Sequence, residues 1–166
     1  IRSLTNHFQS DLDPGEIYEQ TGGWAGCVDM MLRLSQADPP AARRNAREIK
    51  ASYEITAYIK KYILDTLSAE ENEIMRRAVI CPWINETMCR EIWQLPWASD
   101  SLQDLCRKGL LEYDKEKERW KIAPMFRDMD ISETNPIFWK HLGNWYHQSG
   151  NVEEALFCLK KSQNEE

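Results

Sequence analysis

Leu110-Leu111-Glu112-Tyr113-Asp114-Lys115-Glu116-Lys117-Glu118-Arg119-Trp120-Lys121-Ile122 is the stretch that decides the fold. Two short runs, 110–113 and 119–122, flank a polar turn at 114–118, which is the pattern of a β-hairpin. The segments on either side have helical spacing instead. Seven Gly and seven Pro among 166 residues come to about 8%, below an average near 12%. With so few breakers, the expected fold class is mainly α with one small hairpin. Hydrophobic residues at 42% and charged residues at 29% are ordinary globular composition and exclude a disordered or collagen-like chain.

Working back from the hairpin, Ser99 or Asp100 is expected to cap a helix with Leu102, Leu105 and Cys106 inward and Gly109 as its stop. Asn85 caps a shorter helix carrying Met88, Cys89 and Ile92. Ser68-Ala69-Glu70-Glu71 is a capping box, in which each side chain satisfies the other residue's free backbone N–H. Its helix turns Ile74, Ala78 and Val79 inward and ends near Cys81-Pro82, because the residue before proline avoids α geometry. Ile55, Tyr58, Ile59, Tyr62, Ile63 and Leu67 recur at three and four, the mark of an amphipathic helix. Helices followed by a hairpin make a winged helix, and residues 53–130 are assigned to it.

A winged helix raises the question of DNA. Twenty-one basic and 27 acidic residues leave a net charge of -6. The helix that would read DNA sets Arg107 and Lys108 against Asp100 and Asp104. In the hairpin, Lys115, Lys117, Arg119 and Lys121 stand against Glu112, Asp114, Glu116 and Glu118. Neither offers the basic surface that phosphate contact requires, so packing against protein is the expected use and no direct nucleic-acid contact is expected.

Residues 1–52 form a helical region and linker. Asp13-Pro14-Gly15-Glu16 starts a short helix to Gln20, and Thr21-Gly22-Gly23 breaks it. A second helix carries Trp24, Val28, Met31, Leu32 and Leu34 and stops at Ala37-Asp38-Pro39-Pro40. Arg43, Arg44, Arg47 and Lys50 lie on the helix-prone stretch 41–51 beside one acid, Glu48. They are read as a solvated helix face in preference to an anion-binding strip.

Beyond the hairpin, Trp139-Lys140-His141-Leu142-Gly143-Asn144-Trp145-Tyr146 matches the W-x2-L-G-x2-Y opening of a tetratricopeptide repeat. Gly143 and Ala155 let two helices approach closely, Tyr146 and Leu159 fill the remaining space, and Ser149-Gly150-Asn151 is the turn between them. One repeat leaves an outer apolar face uncovered, so residues 131–166 are expected to begin a longer array and to drive weak self-association when alone. The chain opens Ile1-Arg2-Ser3 without Met, as expected of a piece cut from something longer.

Chemistry-bearing motifs are few. Cys27, Cys81, Cys89, Cys106 and Cys158 are odd in number and contain no C-x-x-C pair, the pattern of buried thiols in a reducing cytoplasm. The histidines are His7, His141 and His147. Neither a G-x-S-x-G elbow nor a G-x-x-x-x-G-K-[ST] loop occurs, so no enzyme, metal site or resident nucleotide is expected of this segment. No apolar run reaches the roughly 18 residues that span a bilayer, and no membrane partner is expected.

The order of these pieces resembles the middle of the large ATP-dependent, MalT-like regulators of the LuxR family, which belong to the signal-transduction ATPases with numerous domains (the STAND class). Glu19-Gln20-Thr21-Gly22-Gly23-Trp24-Ala25-Gly26 is similar to the E-x-T-x-G-W-A-A-G segment closing that family's ATPase module. Residues 55–68 resemble the helix opening its winged-helix domain. Leu102-x-x-Leu105, Gly109-Leu110-Leu111 and Trp120-Lys121-Ile122-Ala123-Pro124-Met125-Phe126 resemble its wing and the segment after it. Residues 139–155 resemble the first turn of its repeat superhelix. The resemblance implies a non-catalytic segment coupling nucleotide and inducer state to transcriptional activation. ATP or ADP is then held elsewhere in the parent, and the partners are its ATPase and repeat domains. It also implies Gly23 and Trp24 near the adenine side of the nucleotide. Where the family often has a phosphate-meeting His after the wing, this chain has Ala123, which can neither donate a hydrogen bond nor carry charge. Two other classes stand beside this reading: a free-standing repeat adaptor, and a winged-helix repressor.

Overall fold

The computed structural model describes residues 1–7, 10–37, 45–127 and 136–164. The chain forms two compact units, Ile1–Asn72 with Ala123–Met129, and Glu73–Ile122 with Asp130–Glu166. The stretch 53–130 is therefore divided between them, and residues 131–166 share a unit with the hairpin.

In the first unit, α1 is Arg2–His7, α2 Pro14–Thr21, α3 Ala25–Ala37, α4 Ala46–Lys50 and α5 Tyr53–Tyr62. The Glu16 N–H donates to the Asp13 carboxylate at 2.9 Å, with Pro14 at the first helical position. Gly22 ends α2 in left-handed geometry at φ 62°, one residue beyond the expected end. α3 buries Cys27, Val28, Met31 and Leu32, whereas Leu34 is only half-buried. α5 buries Ile55 and Ile59 but stops at Tyr62, short of the expected run to Leu67. Ile63 leaves helical geometry at φ −123°, and a 3-10 turn follows over Leu64–Thr66. Tyr62 is consequently exposed, with its ring 5.1 Å from that of half-buried Tyr58.

Of the basic strip, Arg43 and Arg44 lie outside the described residues, as does the break at 38–40. Arg47 is exposed on α4, and the Lys50 ammonium donates to the Pro124 carbonyl at 2.8 Å. The capping box forms as expected. Ser68 N–H donates to the Glu71 carboxylate at 2.9 Å, and Glu71 N–H to the Ser68 hydroxyl at 3.1 Å. It opens α6, Ala69–Ala78, whose Ile74, Met75 and Ala78 are buried while Val79, just past its end, is half-buried.

In the second unit, α7 spans Glu86–Glu91, and its Met88 N–H donates to the Asn85 side chain at 2.8 Å. α8, Ala98–Arg107, starts ahead of the expected cap. Trp97 occupies the cap position without a side-chain bond, and the Ser99 hydroxyl donates to the Glu86 carboxylate at 2.9 Å instead. Leu102 and Leu105 are buried and Cys106 half-buried, and Gly109 ends the turn at φ 74°. β1, Leu111–Asp114, pairs antiparallel with β2, Arg119–Ile122, with Leu111 opposite Ile122 and Asp114 opposite Arg119. Ile84 and Trp120 exchange two backbone hydrogen bonds of 2.8 Å along the other edge of β2. Helix, bridge, two helices and hairpin thus follow in winged-helix order. α9, Pro136–Gln148, and α10, Val152–Asn164, are joined through Gly150 at φ 78°. The described chain is mainly α with one small two-stranded sheet, and none of its helices is long and apolar enough to cross a membrane.

Candidate functional site

The repeat motif builds one wall of the site. A Cβ placed at Gly143 meets the Cys158 Cβ at 3.3 Å, the Ala155 carbonyl oxygen at 3.4 Å and the Leu159 Cγ at 3.4 Å. A side chain there would be tightly packed against α10, which would have to give by a few tenths of an ångström. Trp139, Leu142 and Tyr146 on α9 and Ala155 on α10 are buried. Leu159 meets the expectation in part, since its Cγ lies against Gly143 while 38% of the residue stays exposed. Ala155, Cys158 and Ser162 form the buried stripe of α10, and Leu159 stands one residue out of phase with it.

Tyr146 reaches past α10 to the winged-helix part of the same unit. Its hydroxyl donates to the Trp83 carbonyl at 2.5 Å, and the two rings meet edge to face at 4.9 Å. The Trp83 indole N–H in turn donates to the Glu154 carboxylate of α10 at 2.9 Å. The same carboxylate oxygen lies 3.7 Å from the Arg119 guanidinium of β2, which covers the Trp83 ring at 5.3 Å. Trp145 completes the cluster, with its ring 5.8 Å from Trp83 and its N–H 3.3 Å from the Glu91 carboxylate. Burial pushes the Tyr146 phenol far above its ordinary range, so the hydroxyl stays a donor. Burial likewise raises the Cys158 thiol to about 12 and holds the Cys81 thiol well above its usual value.

Trp83, Arg119 and Glu154 have no signal in the sequence that singles them out as a hub. Trp83 follows a proline in a stretch without periodicity, and Glu154 has the look of a common acidic residue in a first helical turn. A cleft of about 360 Å³ opens beside them, bordered by the wing and by the α9–α10 turn.

In the first unit, Gly23 is exposed at φ 83°, where a side chain is strained and meets the Tyr18 ring at 3.3 Å. Trp24 stands edge-on to Phe126 at 5.7 Å, and Ala123 is buried at the start of that segment. Trp24 and the segment after β2 therefore meet. A Cβ at Gly26 would strike the Tyr58 hydroxyl, so a side chain there displaces the end of Tyr58. Among the described residues, no group of three or more His, Cys, Asp or Glu is arranged to hold a metal ion. No protein-family model matches the chain, and no curated protein matches it significantly.

Proposed function

We propose that the chain is a non-catalytic regulatory segment of an ATP-dependent, MalT-like LuxR-family regulator, acting in the bacterial cytoplasm. It couples nucleotide and inducer state to activation through protein–protein packing. The observation that carries this reading is the Trp83 hub. Tyr146 and Glu154 from the repeat-like hairpin bond to the same tryptophan that Arg119 of the wing covers. A movement imposed on the repeats is thereby delivered to the winged helix as a rigid displacement.

Surface chemistry supports packing on protein over reading DNA. Arg119, one of the four wing cations, is turned inward with its side chain 13% exposed, and Arg107 is engaged by Asp104 on its own helix. Exposed Lys115 and Lys117 are accompanied by exposed Glu112, Glu116 and Glu118. Val152, Leu156, Phe157 and Leu159 leave apolar surface on α10, as a first repeat does where a following one covers it. Trp24, held against Phe126, and Gly23 are the residues assigned to the adenine side of nucleotide bound by the ATPase module. The phosphates of ATP or ADP belong to that module, and Gly23 and Trp24 border only its adenine.

Reading the encoding frame in both directions tests the proposal. A phosphate-cradling G-x-x-x-x-G-K-[ST] loop is expected upstream and a basic helix-turn-helix downstream. A frame with neither removes the regulator and leaves the repeat adaptor.

A further inference from the structure

We infer that the outer face of α10 docks a second copy of this chain, whose own α10 lies antiparallel across it on a two-fold axis. The inference rests on α10 alone and is independent of the regulator reading. A following repeat, where one is present, competes for the same face.

Val152, Leu156, Leu159 and Gln163 recur at four, three and four residues, so they share one stripe of the helix. The three apolar members are 57%, 52% and 38% exposed, while the neighbouring stripe of Ala155, Cys158 and Ser162 is buried. Such spacing is that of a helix–helix seam, in which the apolar side chains of one helix enter the gaps of the other. The run Val152–Leu159 makes about two helical turns, so the seam is short and the dimer weak and reversible.

The two flanks of the stripe select the occupant and its direction. One flank carries Ala155 and Ser162, both buried in the packing of this chain. The other carries Glu153 and Lys160, both exposed, of opposite sign and two turns apart. Neither joins an ion pair among the described residues. In an antiparallel pair like flanks face each other, so Glu153 meets Lys160 of the second copy, and Lys160 meets Glu153 of the second copy. The axis then passes between Leu156 and Phe157, and Leu159 enters the gap between Val152 and Leu156 of the second copy. A parallel pair would set the charged flank against the buried one and leave both charges unmatched. The helix is its own charge complement in one direction only.

Sedimentation equilibrium of the chain at low salt tests the seam, and a reversible monomer–dimer equilibrium is expected. Glu153→Lys and Lys160→Glu each turn both cross-pairs into like-charge contacts. Each is expected to weaken the dimer roughly tenfold, with folding checked by circular dichroism. An equimolar mixture of the two variants restores both pairs, and it is expected to form a heterodimer as tight as the parent dimer. The mixture also reads direction, because only an antiparallel seam brings residue 153 of one copy to residue 160 of the other. A chain that stays monomeric at millimolar concentration overturns the inference and leaves the face to a following repeat. Variants that associate as the parent does overturn it too, as does a mixture no tighter than either variant alone.

Discussion

Tyr146 carries its weight through one oxygen. The hydroxyl is enclosed and serves the Trp83 carbonyl, so Tyr146→Phe keeps the ring packing and leaves that buried acceptor unpaired. The expected cost is about 1–3 kcal/mol in urea unfolding, and an unchanged midpoint would show that the bond contributes nothing net. The cysteines divide on the same physical basis. Cys27, Cys81, Cys89 and Cys158 are buried, and burial raises each thiol, to about 11 for Cys27 and about 12 for Cys89 and Cys158. Cys106 alone is partly exposed. A disulfide reagent at neutral pH should therefore modify one thiol quickly in the native chain and five after denaturation. Two or more fast thiols would contradict the burial described for the other four.

At the scale of elements, what the sequence shows depends on whether the cause is local. The Asp13 and Asn85 caps, the Ser68–Glu71 box and the hairpin are set by residues within a few positions of one another, and all are legible. Ser99 looks like a cap and is not one, because its hydroxyl has a tertiary partner in Glu86. α5 stops early, although its apolar spacing continues, because the backbone turns at Ile63. Spacing identifies Gly143 and Ala155 as the closest approach of α9 and α10. It also brings Leu159 against Gly143, but not to full burial, because Leu159 stands one residue out of phase with the buried stripe of α10. Gly143→Leu should cost about 1–3 kcal/mol by overpacking, read as a lowered melting temperature. A mutant that melts with the parent would mean that the helices are not closed through this position.

At the scale of the whole molecule, the Trp83 hub lay beyond sequence reasoning, because it joins residues 83, 119, 146 and 154 through contacts that no local pattern encodes. The outer face of α10 was legible from the repeat spacing, and Val152, Leu156 and Leu159 are exposed on it. If a following repeat covers that face, this chain should associate weakly in sedimentation runs, and a chain extended by two more repeats should not. Equally strong association at both lengths would place the contact elsewhere.

Transmission from repeat to wing requires that the two open together. Native-state hydrogen exchange measures this directly through the amides of Leu142, Tyr146 and Cys158 in the helical hairpin and of Trp120, which bonds to Ile84 at the wing. The expected result is one shared opening free energy and one denaturant slope for all four, with Tyr146→Phe lowering that free energy equally at all four and leaving the slope unchanged. Opening of α9 and α10 at a distinctly lower free energy, with Trp120 still protected, would contradict rigid coupling through the Trp83 hub.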